Sequence, residues 1–149
     1  MKLSNFTERA SRWARQWRKP DVIVNGANGL PYLLRWHLIP RNRFLNIYLH
    51  KFMQGDDDRA YHDHPWASIS ILLKGRYNEE LFDGTWYTRK YPWPVFRWPS
   101  HAHRIFVRDG ETAWTLFITG PRWKSWGFLC PQGWKHWRAF GRDGGCGEP

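Results

Sequence analysis

Residues 61–82, YHDHPWASISILLKGRYNEELF, combine a histidine pair, an apolar run and a turn. Ala67–Leu73 alternates serine with isoleucine before closing on two leucines, the period-two pattern of a half-buried strand. Lys74-Gly75 ends it. Arg76–Phe82 resumes as a second strand and stops at Asp83-Gly84, a hairpin signal answered by Trp86–Tyr91. Upstream, HDH sets two imidazoles two residues apart. On extended backbone such residues share a face, so His62 and His64 can point into one space and bind one ion.

The same grammar extends outward. Val22–Val24 precedes the turn-like NGANG at 25–29, and Tyr32–His37 and Phe44–Phe52 follow as strands. GDDD at 55–58 is a loop. Beyond the hairpin, Val95–Trp98, His103–Arg108, Thr112–Thr119, Gly127–Leu129 and Trp134–Phe140 read as further strands, each bounded by Pro, Gly or Asp. Many short strands separated by turns predict an all-β barrel or sandwich. Residues 3–19 differ: Leu3, Phe6, Ala10, Trp13 and Trp17 recur at helical spacing among Lys and Arg, and Pro20 ends the pattern. The expected organisation is a basic amphipathic helix over 1–20 packed on a β domain over 21–140, with the Gly-rich 141–149 as a flexible tail.

With 149 residues, 42% hydrophobic and 24% charged, the chain can bury one core and is not a disordered segment. Its 12 Trp point either to an amphipathic cavity or to a bulky core. A formal charge of +10 attracts anions, including nucleotides and nucleic acid, and equally serves solubility. Cys130 and Cys146 form no CxxC pair; they imply no disulfide framework, and Cys130 reads as a buried inert thiol. Residues 1–20 lack the apolar run of a secretory signal and no segment reaches membrane-spanning length, so a reducing cytoplasm is the expected location. P-loop, GxGxxG, Ser-His-Asp and zinc-finger patterns are absent from the sequence.

A third histidine strengthens the metal reading. In RWPSHAHRI at 97–105, His103 opens an apolar strand after Pro99, two hairpins beyond His64. His101 is positioned to share its face but falls in the turn. Together these segments resemble the cupin superfamily over residues 44–120. His62-Asp63-His64 stands for the HxH of the first cupin motif and Gly75 for its closing Gly; Gly55 precedes at one residue more than the pattern asks. Pro99 and His103 match the second motif, with its Gly missing. HDHPW, AHRI, FITGPR and GFLCPQGW also resemble small cupin-like proteins of phages and proteobacteria.

The resemblance implies a cupin-type antiparallel β-barrel, or jelly roll, to which the periodicity adds the N-terminal amphipathic helix. It implies one divalent ion (Fe, Zn, Ni or Mn) on His62, His64 and His103. A cupin usually adds a Glu, but that position is Ser68, whose neutral hydroxyl is a weak ligand. Three readings stay open: the ion keeps three His and open positions for water or substrate; Glu79 or Glu80 reaches in from the next strand; or no metal binds and the barrel holds a small molecule alone. His50 in IYLHKF is a cavity-wall or supporting residue.

Ligand-binding candidates are Arg59, Tyr48, Trp66, Trp98, Trp114 and Arg122, as guanidinium or aromatic partners of an anionic or planar ligand; Arg97 and Arg104 flank the second motif. The first functional expectation is a mononuclear metalloenzyme of oxygenase or isomerase type acting on a small molecule. The alternatives are a cupin that binds or sequesters a nucleotide or sugar without turnover, and a nucleic-acid-associated protein acting through the basic helix. A homodimer is expected from cupin edge strands.

Overall fold

The computed structural model describes residues 18–26, 28–55 and 60–147. Twelve strands run in chain order as β1 (Val22–Asn25), β2 (Pro31–His37), β3 (Asn46–Phe52), β4 (Tyr61–His62), β5 (Ser68–Lys74), β6 (Tyr77–Leu81), β7 (Trp86–Arg89), β8 (Pro94–Arg97), β9 (His103–Phe106), β10 (Ala113–Thr119), β11 (Gly127–Cys130) and β12 (Gly133–His136). A short helix, α1 (Trp137–Arg142), follows.

The strands form two six-stranded sheets, ordered β1-β2-β3-β10-β5-β8 and β12-β11-β4-β9-β6-β7, with antiparallel pairing throughout. The expected closed barrel is corrected here, because neither sheet closes and no ladder joins the two. Proline contributes to this at two of the crossings between the sheets. Pro65 lies between β4 and β5, and Pro99 between β8 and β9. Proline cannot donate to a ladder, so pairing stops at both points and the chain passes from one sheet to the other.

The expected N-terminal helix falls mostly on residues 1–17, outside the described residues; Arg18–Pro20 carry no helix. The helix that is described lies at the other end, where a strand was expected through Phe140. His136 ends β12 and caps α1, its Nδ1 accepting from the Arg138 N–H at 3.2 Å. Phe140 is buried and stacks on Phe128, with ring centroids 3.7 Å apart. Cys130 and Cys146, read from the sequence as unpaired, are joined in a disulfide that ties the end of the chain to β11. No helix among the described residues is long and apolar enough to cross a membrane.

Inward-facing residues line up in rows across the first sheet. Leu33, Phe52 and Ala113 pair in one row and, with Leu72, Tyr77, Ile105 and Val107, form the apolar core. The next row is Arg35, His50 and Thr115, and beyond it come His37, Tyr48, Phe117 and Ser70. The interior therefore turns polar one strand step away from the core, and the cavity opens at that transition.

Gly75, which closes the first motif, makes the β5–β6 turn possible. Its φ is +81°, and a Cβ there would lie 2.1 Å from the Thr112 carbonyl oxygen. Gly75→Ala is expected to cost roughly 2 kcal/mol or more, from the left-handed backbone and the clash together. A urea midpoint equal to wild type would contradict this.

Candidate metal centre

His62 on β4 and His103 on β9 are direct cross-strand partners, so their side chains stand side by side on one face. His64 follows just past the end of β4, where its backbone N–H donates to the Pro99 carbonyl at 3.2 Å. Ring centroids are 4.7 Å apart for His62 and His103, 5.2 Å for His62 and His64, and 5.1 Å for His64 and His103. One ligand nitrogen from each ring lies within 4.8 Å of the other two.

Asp63, between the two histidines, turns the other way and fastens the motif. Its Oδ1 accepts from the Gly127 N–H at 2.8 Å; its Oδ2 accepts from Trp134 Nε1 at 3.1 Å and pairs with Lys124 Nζ. Period two thus sends the imidazoles to the cavity and the carboxylate to β11 and β12.

Behind His103 stands Glu79 on β6, fully buried. Its Oε1 accepts from His103 Nδ1 at 2.5 Å and from Arg97 Nε at 2.7 Å, and its Oε2 accepts from Arg89 Nε at 2.6 Å. Burial opposes the charge on Glu79, but the His103 hydrogen bond and the Arg97 and Arg89 guanidiniums outweigh it and hold the carboxyl well below its usual range. The proton on Nδ1 leaves the Nε2 lone pair of His103 facing the cluster, 2.9 Å from His64 Nε2. Burial, only partly offset by Glu79, lowers the His103 pKa to about 4; burial and the neighbouring histidines push His64 well below its ordinary value. Both rings are therefore neutral near pH 7, the form that binds metal.

A donor set of three imidazoles, one backed by a carboxylate, suits a borderline divalent ion. The 2.9 Å between the two Nε2 atoms is the span of two bonds of about 2.1 Å meeting near a right angle. The residues present fit a single divalent metal ion.

The cluster faces a cavity of about 290 Å³ between the sheets. His62, His64 and His103 line it from the second sheet and the turn after β4; Arg35, His50, Ser70, Thr115 and Phe117 line it from the first. Arg35 Nε donates to His50 Nε2 at 2.9 Å, and the guanidinium carbon sits 4.9 Å from the Tyr48 ring centroid. Burial lowers the pKa of Arg35, and burial with the Arg35 charge keeps His50 neutral.

The other residues singled out from the sequence scatter. Ser68 is buried on the inner face of β5, does not line the cavity, and its hydroxyl has no hydrogen-bond partner among the described residues. Glu79 supports a histidine from behind, and Glu80 pairs with Arg104. His101 lies exposed in the β8–β9 turn. Tyr48 packs on His50, behind the cavity wall. Trp66 lines the cavity. Trp114 stacks on Trp36 with its side chain opposite in phase to the inward Thr115, and Trp98 is exposed between Phe96 and Trp123. Arg122 is exposed and donates to the Lys124 carbonyl; Arg59 lies outside the described residues. Asp63 and Arg35 were missed as site residues. Asp63 was legible as the out-of-phase residue of HDH, and Arg35 as a charge in phase with apolar Leu33.

No family model matches the chain, and no curated protein matches it in sequence. Solved structures do. The DMSP lyase DddQ from Ruegeria pomeroyi superimposes with a TM-score of 0.59 at 17% identity, over 78% of this chain and 61% of that one. The fold is cupin-like. A conserved Klebsiella pneumoniae protein with a double-stranded β-helix domain gives a TM-score of 0.53 at 15% identity, over 71% of this chain and 90% of that one. Fe(II)-HppE with the alternative substrate (S)-1-HPP gives 0.52 at 16%, over 69% and 58%. At such identities the likeness extends to the cupin-like fold and no further. This chain spans about three-fifths of the lyase, 61% of its length.

Proposed function

We propose that this cupin-like protein is a mononuclear metalloenzyme of oxygenase or isomerase type, with one divalent ion on His62, His64 and His103 and a small substrate in the adjoining cavity. The observation that carries the reading is the buried Glu79–His103 pair, which aims a neutral Nε2 at two further imidazoles beside a cavity. A bound ion of this class polarises a substrate oxygen or serves O2 chemistry. Glu79 holds the proton on Nδ1 of His103, Asp63 holds the HDH segment in place, and Phe117 packs between His50 and His64 and limits water at the wall. Support by analogy comes from the Fe(II) form of HppE and from the DMSP lyase DddQ, a metal-bound protein and a lyase on similar folds.

The test is metal analysis of protein purified without a histidine tag. About one Fe, Zn, Ni or Mn per chain is expected, falling to background in the His62→Ala, His103→Ala double variant. A wild-type protein that stays metal-free after incubation with each of these ions would remove the reading.

A further inference from the structure

We propose that Arg35, Thr115 and Trp66 form an anion-binding wall in this cavity, and that its ligand is a small carboxylate. The inference rests on the metal-centre reading for the far end of the ligand but stands on separate residues.

Among the described residues, the other buried or half-buried arginines come with counter-ions. Arg97 and Arg89 meet Glu79, and Arg104 meets Glu80. Arg35 is different. Among the described residues no carboxylate pairs with it, and no Asp or Glu lines the cavity it faces. It is held by a neutral nitrogen of His50 and by the face of Tyr48, contacts that fix the guanidinium without neutralising it. The bond to His50 uses Nε, which leaves the terminal NH2 groups for a guest.

Two more donors, both unpartnered among the described residues, belong to residues that line the same space. Thr115 is 1% exposed, and its hydroxyl has no hydrogen-bond partner; the indole N–H of Trp66 is buried and equally unpartnered among the described residues. Buried polar groups without partners are uncommon, and here they belong to residues lining the same cavity as a cation that no carboxylate pairs among the described residues. A divalent ion on three neutral imidazoles would add positive charge, and Ser68 withholds the carboxylate that would offset it. The guest must bring the negative charge. A guanidinium fork with two neutral donors matches a planar carboxylate. The cavity, about 290 Å³, lies at the small end of ligand pockets, which suits a small guest.

The experiment is calorimetric titration of the full chain, as purified and after loading with Ni²⁺, with acetate, succinate, succinamide and inorganic phosphate. Acetate or succinate is expected to bind about tenfold or more tightly than succinamide and phosphate. Arg35→Met should weaken carboxylate binding by about tenfold or more, and Arg35→Lys, which keeps the charge but loses the fork, by less. Thr115→Val serves as a second probe should Arg35→Met fail to fold, with a loss of about threefold or more. Failure of both carboxylates to bind, tighter binding of phosphate, or carboxylate binding unchanged in the folded variants would overturn the proposal. Its failure differs from that of the metal reading. Metal at one per chain with carboxylate binding indifferent to Arg35 removes the wall alone. Arg35-dependent succinate binding in a chain that takes up no metal removes the metal centre alone.

Discussion

Glu79→Gln is expected to weaken divalent-metal affinity by about 10–100-fold and to cost about 3–5 kcal/mol of folding stability. Both effects come from one carboxylate with three obligations. Toward His103 it accepts the Nδ1 proton; an amide that flips to present its NH2 would leave the ring in the wrong tautomer. Toward Arg97 and Arg89 it is the counter-ion, and Arg97 is buried. A neutral side chain there leaves the buried Arg97 and the half-buried Arg89 without their shared counter-ion. The paired measurements are competition with a chromogenic chelator and urea unfolding. A variant with near-wild-type metal affinity and an unchanged midpoint would show that Glu79 neither supports the ligand nor balances the arginines.

Asp63→Ala is expected to cost about 3–4 kcal/mol and to loosen the metal centre with it. The substitution strips acceptors from the Gly127 N–H and Trp134 Nε1 and the counter-ion from Lys124. Each buried group left unpaired costs about 1–3 kcal/mol, and Gly127 is buried. Asp63→Asn keeps an oxygen for the Gly127 N–H and should recover part of the loss. Hydrogen exchange at Gly127 separates the two variants: fast in Asp63→Ala, slower in Asp63→Asn. Equal protection in wild type and Asp63→Ala would sink this account of how the HDH segment is held.

The strands and the His62–His64 pair were legible because they are written in local pattern, and His103 was reached through the second motif. Alternation in Ala67–Leu73, the Asp83-Gly84 hairpin and HxH depend only on nearest neighbours along the chain. What was hidden depends on partners far away in sequence. Glu79 and Glu80 could not be told apart by phase alone, and both turn out buried: Glu79 inward against Arg97, Glu80 on the opposite face under Arg104 and paired in register with Trp86. Two of the crossings between the sheets were marked by Pro65 and Pro99, but a strand reading registers proline as a boundary, not as a change of sheet. The helix at Trp137–Arg142 carries three aromatic or apolar residues in six and mimics a strand at that length. The Cys130–Cys146 bond has no spacing signature.

Arg97 belongs to the first sheet, while Glu79 and His103 belong to the second. Their ion pair is thus a rivet through the sandwich, placed at the β8 margin. A guest too long for the resting cavity meets a fixed jaw on that side. Any yielding falls to the far margin, where Val24 on β1 and Arg35 on β2 line the space with no comparable fastening to the facing sheet among the described residues. Tolerance for ligand length should accordingly be tuned by changes in β1 and β2, and left alone by changes around Arg97.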